Sequence, residues 1–342
     1  MTVLIEQLQE IVGPGGWTSD LQELQPYLTE WRGVYEGRAL IMVKPRTTDE
    51  VGAVVRACAE NNTAIVPQGG NTGMCGGAVP DVSGEQVILN LSRMNRVLDV
   101  DARNFSMTVQ AGCLLATAQE AARGAGRYFP LSLGAEGSCQ VGGNIATNAG
   151  GINVGRYGTA RALVLGLEVV LADGTVLDNL RSLRKDTAGY DLKQLFIGSE
   201  GTLGIITAAS LRLFPDPGHM ATALVGIDRA GAAVELLGSL KTKLDDRIES
   251  FELVSRRVFG LVETHIPNAS LPFEEEYPWY VLIEAATGRD PQILENALLQ
   301  EAEDGRLLDA VIAKNEAEAA EFWRLRHSIA EAERQEGKAL KH

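Results

Sequence analysis

The sequence VPQGGNTGMCGGAVP, residues 66–80, guides the interpretation of this 342-residue chain. It follows a short apolar run at 63–66 that predicts a buried strand. Five glycines lie between Gly69 and Gly77, too many for a helix or a second strand. Such a loop exposes consecutive backbone N–H groups that can surround an anion such as phosphate. Taken alone, the loop is equally compatible with a glycine-rich surface turn.

Two later blocks favour a ligand over a simple turn. Residues 133–151 read LGAEGSCQVGGNIATNAGG, and residues 198–204 read GSEGTLG. With the first loop, these blocks hold 14 of the 37 glycines, so the glycines are concentrated rather than scattered. One extended ligand in contact with three separate backbone segments is the simplest explanation.

The three blocks resemble the flavin-binding signature of the vanillyl-alcohol-oxidase/PCMH flavoproteins. Within that group the sequence is most similar to the D-2-hydroxyacid dehydrogenases, above all the D-2-hydroxyglutarate dehydrogenases, from about Trp31 onward. The resemblance implies an α+β protein. A PCMH-type FAD-binding domain, made of a small βαβ part and an antiparallel sheet, would precede an α+β cap domain with an antiparallel sheet that binds substrate.

The order of predicted elements agrees with that architecture. Strand, helix and strand between residues 39 and 66 predict a βαβ unit with a parallel pair, with Thr48 or Asp49 capping the helix. A β-rich, antiparallel section follows, with a hairpin at 172–174. Residues 215–218, PDPG, are the best domain boundary. We therefore expect a lead-in segment at 1–36, an FAD-binding domain at 37–215 and a cap domain at 216–342.

The amino-acid composition limits the classes of partner that the protein can bind. Thirty-one basic and 45 acidic residues give a net charge of −14, which argues against nucleic acid or an anionic membrane as a partner. No run approaches the ~18 apolar residues of a membrane span. The four cysteines lack CxxC spacing, which is typical of reduced thiols in a cytoplasmic protein.

The resemblance implies which residues hold the cofactor. It assigns the FAD pyrophosphate to the first loop and further cofactor contacts to the other two blocks. The residues are Pro67, Gln68, Gly69, Gly70, Asn71, Thr72, Gly73, Gly76, Gly77, Gly134, Gly137, Ser138, Gly142, Gly143, Asn144, Thr147, Gly201 and Ile206. For any single glycine, a tight turn is the competing interpretation.

Other nucleotide-binding motifs fit less well. A Rossmann fingerprint requires GxGxxG at the start of a helix, and the sequence MCGG at 74–77 disfavours a helix there. No GxxxxGK[ST] motif occurs, which disfavours a P-loop enzyme. The loop contains no histidine, and Cys75 and Cys139 stand where similar dehydrogenases bind FAD without a covalent bond. We therefore predict noncovalent FAD.

The resemblance extends to a substrate segment near the end of the chain. It implies that Arg326 and Lys341 hold the carboxylate and the 2-oxygen of the substrate, and a guanidinium suits a carboxylate. The alternative is that Arg324, Arg326 and Arg334 are solvated cations on a glutamate-rich helix. Ala330 stands where the D-2-hydroxyglutarate enzymes have a threonine, so D-malate and D-lactate stay open as substrates.

The resemblance also implies a divalent metal such as Zn and a histidine base, in motifs that this sequence does not contain. His219, His265, His327 and His342 are not spaced as metal ligands. The catalytic base is therefore unknown, and we expect the chain to be incomplete at its C-terminus.

The predicted reaction is oxidation of a small anionic D-2-hydroxyacid to the 2-oxoacid, with hydride transfer to flavin N5. The electron acceptor is open among an electron-transfer flavoprotein, a cytochrome and a quinone, and the resemblance suggests a homodimer. Two alternatives remain. One is a noncatalytic or truncated FAD-binding chain that needs a partner, and the other is an NADPH-dependent flavin reductase on the same fold.

Overall fold

A computed structural model describes residues 2–337. The described chain divides into two compact units. The first contains residues 2–150 and 159–216, and the second contains residues 151–158 and 217–337. Lys341 and His342 lie outside the described residues. The predicted boundary at 215/216 stays a proposal, and the sequence did not predict that residues 151–158 group with the second unit.

The elements of the first unit are short. Its strands are β1 (Trp17–Thr18), β2 (Ile41–Val43), β3 (Ile65–Gln68), β4 (Val87–Asn90), β5 (Val97–Asp101), β6 (Ser106–Gln110), β7 (Val164–Val170), β8 (Val176–Asn179) and β9 (Ile205–Arg212). Its helices are α1 (Thr2–Val12), α2 (Leu21–Leu28), α3 (Thr48–Glu60), α4 (Leu115–Gly124), α5 (Val141–Ala146), α7 (Ala160–Leu163) and α8 (Lys193–Phe196).

The second unit alternates strands and helices. Its strands are β10 (Met220–Ile227), β11 (Ile248–Ser255), β12 (Trp279–Ala286) and β13 (Asp309–Ile312). Its helices are α6 (Val154–Tyr157), α9 (Ala230–Lys243), α10 (Arg256–His265), α11 (Ile293–Glu303), α12 (Glu316–His327) and α13 (Ile329–Glu336). The glutamate-rich helix predicted to carry Arg324, Arg326 and Arg334 is divided at Ser328 into α12 and α13.

The small sheet of the first unit has the strand order β1-β2-β4-β3. Both β2 and β3 run parallel to β4, which lies between them. The predicted βαβ crossover is therefore present, but the prediction that β2 and β3 pair directly was wrong. The reason is that the apolar strand β4, buried along its whole length, inserts between them.

Helix α3 forms as its sequence predicts, with one correction at its start. The Oγ1 atom of Thr47, not Thr48 or Asp49, accepts the hydrogen bond from the N–H of Glu50 at 3.2 Å. The apolar face of the helix buries Val51, Val54 and Cys58, which anchors the crossover against the rest of the unit.

The larger sheet of the first unit is antiparallel, as predicted, in the order β5-β6-β9-β7-β8. Strands β7 and β8 form the predicted hairpin, with Val170 opposite Val176. Helices α2, α5, α7 and α8 were not predicted. Helix α2 begins at Asp20, whose carboxylate accepts from the N–H groups of Gln22 and Glu23, and α5 forms inside the second glycine block.

The second unit is a four-stranded antiparallel sheet in the order β11-β12-β10-β13. One face packs a core of α9 and α11 side chains, including Leu236 and Leu294. The other face packs Phe259, Phe322 and Leu325 from α10 and α12. The prediction of an antiparallel sheet covered by helices is confirmed. Within residues 2–337, no helix is both long and apolar enough to cross a membrane.

Candidate cofactor site

The three glycine blocks meet around one cavity of about 370 Å³ in the first unit. The first block enters it from the end of β3, the second contributes the start of α5, and the third precedes β9. The predicted cofactor residues that line it are Pro67, Gln68, Gly69, Gly70, Asn71, Thr72, Gly73, Gly77, Gly142, Gly143, Asn144, Thr147, Gly201 and Ile206. The fold thus brings together segments separated by more than a hundred residues.

Two glycines explain why these segments approach so closely. A Cβ atom on Gly70 would overlap the carbonyl group of Ser138, so the first and second blocks pack backbone against backbone. Gly201 has a φ of +79°, and a Cβ there would lie 2.9 Å from Cγ of Pro67. Any larger residue at Gly70 would therefore separate the two blocks that form the cavity wall.

The backbone of the first loop is rich in free donors. In the described chain, the N–H groups of residues 70–77 form no hydrogen bond with another protein group. Consecutive N–H groups of this kind form an anion-binding concavity. Among the described residues that line the cavity, Glu200 is the only charged one. An anion bound here would therefore be stabilised by backbone dipoles rather than by lysine or arginine.

The hydrogen bonds of the Gln68 and Asn71 side chains indicate a structural role. The Gln68 side chain is buried, and its Nε2 donates to the carbonyl oxygens of Tyr27 and Ala78 at 2.9 and 2.8 Å. The Nδ2 of Asn71 donates to the carbonyl oxygens of Pro26 and Thr29. The amide donors that we expected to hold phosphate instead fasten the loop to residues 26–29, although both residues line the cavity.

Other polar side chains at the site also bond within the protein. Thr147 Oγ1 donates to the carbonyl oxygen of Gly143 at 2.9 Å, and Ser138 Oγ donates to that of Ala135 at 3.3 Å. The Nδ2 of the buried Asn144 lies 3.5 Å from Sγ of Cys139. The predicted residues that do not line the cavity are Gly76, Gly134, Gly137 and Ser138. Their cofactor role stays a prediction.

Sequence reasoning missed several lining residues: Met74, Cys75, Ala78, Leu91, Ala111, Gln140, Ala146, Glu200, Gly204 and Ile205. Most are neighbours of the predicted glycines, so proximity in sequence could have indicated them. Leu91 and Ala111 lie outside the three blocks and reach the cavity only because β4 and β6 end beside it. No sequence signal identifies them.

The cysteines are free, as predicted. Cys75 is exposed and lines the cavity, whereas Cys58, Cys113 and Cys139 are buried. Burial raises the pKa of the Cys58 thiol to about 12 and that of Cys113 to about 11, and it also raises the pKa of Cys139. The buried thiols are therefore protonated and poor nucleophiles at neutral pH.

The predicted substrate arginine lies in the second unit. Arg326 on α12 forms an ion pair with Glu252 on β11, with Nη2 2.6 Å from Oε2. Its neighbours Arg324 and Arg334 form more exposed pairs with Glu321 and Glu331. Arg324 is 35% exposed and Arg326 is 31% exposed, so the difference lies in their partners: Glu321 is 62% exposed, whereas Glu252 is 21% exposed. Lys341, the other predicted substrate residue, lies outside the described residues.

Trp323, three residues before Arg326, belongs to a second group of polar side chains. Trp323 Nε1 donates to Oε1 of Glu284 at 3.0 Å, and Thr222 Oγ1 donates to the same oxygen at 3.3 Å. Burial raises the pKa of the Glu284 carboxyl, and the two hydrogen bonds partly oppose that rise. Within residues 2–337, no three His, Cys, Asp or Glu side chains are placed to hold a metal ion.

Comparison with known proteins agrees with this geometry. Residues 39–179 match an FAD-binding domain family, and residues 216–342 match the C-terminal domain of FAD-linked oxidases. The D-2-hydroxyglutarate dehydrogenase of Xanthomonas citri pv. viticola is 38% identical over 330 residues, which cover 96% of this chain and 69% of that protein. The chain belongs to the D-2-hydroxyglutarate dehydrogenase family of FAD-linked oxidases.

Mitochondrial members of this family match at similar levels. The D-2-hydroxyglutarate dehydrogenase of Bos taurus is 42% identical over 336 residues, covering 97% of this chain and 61% of that protein. The Arabidopsis thaliana enzyme is 38% identical over 342 residues, covering 99% of this chain and 61% of that protein. The chain therefore spans about three fifths of the length of these family members.

Solved structures share the fold of this chain. An alkyldihydroxyacetonephosphate synthase superposes with a TM-score of 0.75 at 18% identity, covering 98% of this chain and 64% of that chain. A p-cresol methylhydroxylase superposes with a TM-score of 0.74 at 16% identity, covering 96% of this chain and 68% of that chain. The predicted PCMH-type α+β fold is confirmed.

Proposed function

We propose that the protein is an FAD-dependent D-2-hydroxyacid dehydrogenase that oxidises D-2-hydroxyglutarate, D-malate or D-lactate to the 2-oxoacid. The observation that carries this proposal is the glycine-lined cavity, with its free N–H groups at residues 70–77, in a chain of this family. FAD, when bound, supplies the two-electron acceptor for this oxidation.

The protein would contribute binding and orientation on the cofactor side. The N–H groups of residues 70–77 would hold the pyrophosphate, and the cavity wall at Ala111, Gly143 and Ile206 would exclude water from an aromatic ring. The cavity has no histidine on its wall, and Cys75 is its only cysteine, among the described residues. We propose that the flavin is held without a covalent bond. Yellow colour in the pellet after acid precipitation would contradict this.

On the substrate side, Arg326 and Lys341 would neutralise the carboxylate and the oxygen at C2. Support comes from the position of Arg326, which already binds a carboxylate, that of Glu252, in a partly buried place. We assign no catalytic base among the described residues. Replacing Arg326 with alanine should raise KM for the hydroxyacid by about 100-fold while FAD stays bound. Unchanged kinetics would remove Arg326 from the site.

Further proposals concern the whole protein. We propose an electron-transfer flavoprotein, a cytochrome or a quinone as the acceptor, a homodimer as the assembly, and the cytoplasm as the location. The Bos taurus and Arabidopsis thaliana relatives are described as mitochondrial, and the Xanthomonas citri relative is not. A requirement for a divalent metal such as Zn is proposed from the family resemblance.

The experiment is an anaerobic visible spectrum of the FAD-loaded chain, with and without Zn. D- and L-enantiomers of 2-hydroxyglutarate, malate and lactate are added in turn, followed by NADPH. Bleaching by one D-acid but not by its L-enantiomer supports the proposal and identifies the substrate. Bleaching by NADPH alone would indicate a flavin reductase, and bound flavin that nothing bleaches would indicate a cofactor-binding chain that needs a further component.

A further inference from the structure

The ion pair between Glu252 and Arg326 has an unusual geometry for an arginine and a carboxylate. Both Nε and Nη2 of Arg326 lie 2.6 Å from the same oxygen, Oε2 of Glu252. The side chains are 31% and 21% exposed, so water screens the pair less than it screens a surface pair. The guanidinium therefore has a charged partner inside the protein before any ligand arrives.

A free carboxylate can bind Arg326 in a more favourable geometry than Glu252 does. An arginine binds a carboxylate most strongly when two parallel N–H groups reach two different oxygens. Here Nε of Arg326 donates to Oε2 of Glu252, and Nη2 approaches that same oxygen. A free carboxylate can approach the guanidinium without the constraint of a strand backbone and can use both of its oxygens. Such a ligand would replace Glu252, whereas an uncharged ligand would not.

We propose that Glu252 is a specificity-determining residue, an internal anion that competes with the substrate carboxylate for Arg326. This inference rests on the proposed function, in which Arg326 binds the substrate. Glu252 thereby raises the concentration of hydroxyacid needed for binding, and it excludes alcohols, amides and esters that carry no charge to displace it. The same residue keeps the guanidinium oriented between turnovers.

Glu252 also borders a cavity of about 210 Å³ in the second unit, and Lys241 of α9 lines the same cavity. Lys241 forms no ion pair with any residue from 2 to 337. Glu249, the other carboxylate on this cavity, is already paired with Arg156. Glu252 of β11 pairs with Leu282 of β12, so its side chain lies on the face of the sheet that packs α12, whereas α9 packs the other face. When the substrate takes Arg326, the displaced carboxylate therefore relies on water, which reaches 21% of its side chain.

The test compares the FAD-loaded wild type with Glu252→Gln, which keeps the shape of the side chain and removes its charge. Glu321→Gln is the matched control, because Glu321 pairs with Arg324 on the same helix in an exposed position. We expect Glu252→Gln to lower KM for the D-2-hydroxyacid about fivefold, with kcat within about twofold of wild type. Glu321→Gln should leave both constants unchanged.

A binding measurement without turnover gives a second readout. The 2-oxoacid product is titrated into the oxidised, FAD-loaded chain, and its Kd is read from the change in the flavin spectrum. Glu252→Gln should bind the product more tightly by the same factor. If Glu252→Gln does not fold, Glu252→Asp, whose shorter side chain weakens the pair, should shift KM and Kd in the same direction by a smaller factor.

The outcomes separate this inference from the proposed function. A KM and Kd that are unchanged or raised in a folded Glu252 variant, while the wild type is reduced by a D-acid, overturn the inference alone. A wild-type flavin that no D-2-hydroxyacid reduces overturns the proposed function, and this inference with it.

Discussion

The side-chain nitrogen of Gln68 lies 2.9 Å from the carbonyl oxygen of Tyr27, which joins the end of β3 to α2. A second bond from the same nitrogen reaches the carbonyl oxygen of Ala78, at the far end of the glycine loop. Gln68 is only 1% exposed. One buried amide thus closes the loop at both ends, and the shape of the cavity depends on a side chain whose donors are not available to the phosphate.

Replacing Gln68 with leucine should destabilise the first unit by about 2 kcal/mol, because two partly buried hydrogen bonds to carbonyl oxygens are lost. FAD affinity should fall as well, since the loop loses its fixed ends. Urea unfolding and a flavin fluorescence titration measure the two effects. Gln22→Leu, at an exposed position on α2, is the control and should change neither. Equal stability of the two variants would refute the structural role of Gln68.

Loss of the ion pair between Arg156 and Glu249 should destabilise the second unit more than Gln68→Leu destabilises the first unit. The Glu249 side chain is completely buried, and Arg156 and Tyr157 of α6 both donate to its Oε1 atom. Arg156→Ala leaves a buried carboxylate without its cation and should cost about 3 kcal/mol in the free energy of unfolding.

The exposed pair between Arg229 and Glu235 provides the control for that experiment. Arg229→Ala should have a much smaller effect on the free energy of unfolding, because water screens both charges. Similar losses of unfolding free energy in Arg156→Ala and Arg229→Ala would show that the burial of Glu249 does not determine the cost of removing its cation. The same experiment tests whether residues 151–158 stabilise the second unit, since α6 contributes Arg156.

Glu284 predicts a pH dependence of stability. Burial raises its pKa above the ordinary value of 4.5, so the folded chain binds a proton more tightly than the unfolded chain. The resulting stabilisation is present in full below pH 4.5 and is lost as the pH rises through the raised pKa. Glu284→Gln should therefore be more stable than wild type at neutral pH, by roughly 1 kcal/mol, and should lose less stability between pH 4.5 and neutrality.

The control for the pH experiment is Glu331→Gln. A hydrogen bond from Arg334, with a further one from Gln335, lowers the pKa of Glu331 to about 2. Its stabilising effect is therefore lost only as the pH falls towards 2, and its replacement should not flatten the profile above pH 4.5. Unfolding by urea at a series of pH values distinguishes the two variants. If the free energy of unfolding changed equally with pH in wild type and Glu284→Gln, the role assigned to Glu284 would be contradicted.

The sequence predicted most elements because their patterns are local. Helix α3 and the alternation of β10 to β13 with helices follow from apolar periodicity and from turn residues, and both are present. The cap of α3 was misplaced by one residue, since Thr47 and Thr48 are equally suited by type and only the backbone geometry selects Thr47. Local sequence patterns thus predict that a helix or strand exists more reliably than they predict the residues at which it begins and ends.

The long-range arrangement of these elements was harder to predict from the sequence. Nothing in the sequence states that β4 inserts between β2 and β3, because all three strands are short apolar runs. The glycine positions indicated the cavity, but the direction of the Gln68 and Asn71 amides depends on where residues 26–29 lie. The grouping of 151–158 with the second unit likewise depends on Glu249, almost a hundred residues away.

The most direct test of the central claim is the flavin content and reduction of wild type beside Gly73→Val. Gly73 lines the cavity, and a Cβ atom there meets no protein atom within 4 Å, so the variant should fold normally but lose FAD. Gly124→Val, at an equally open glycine outside the cavity, is the control. We predict a yellow wild type that a D-2-hydroxyacid bleaches anaerobically, a yellow control, and a colourless Gly73→Val whose Tm equals that of wild type stripped of FAD. A Gly73→Val variant that binds FAD as tightly as wild type would contradict the claim.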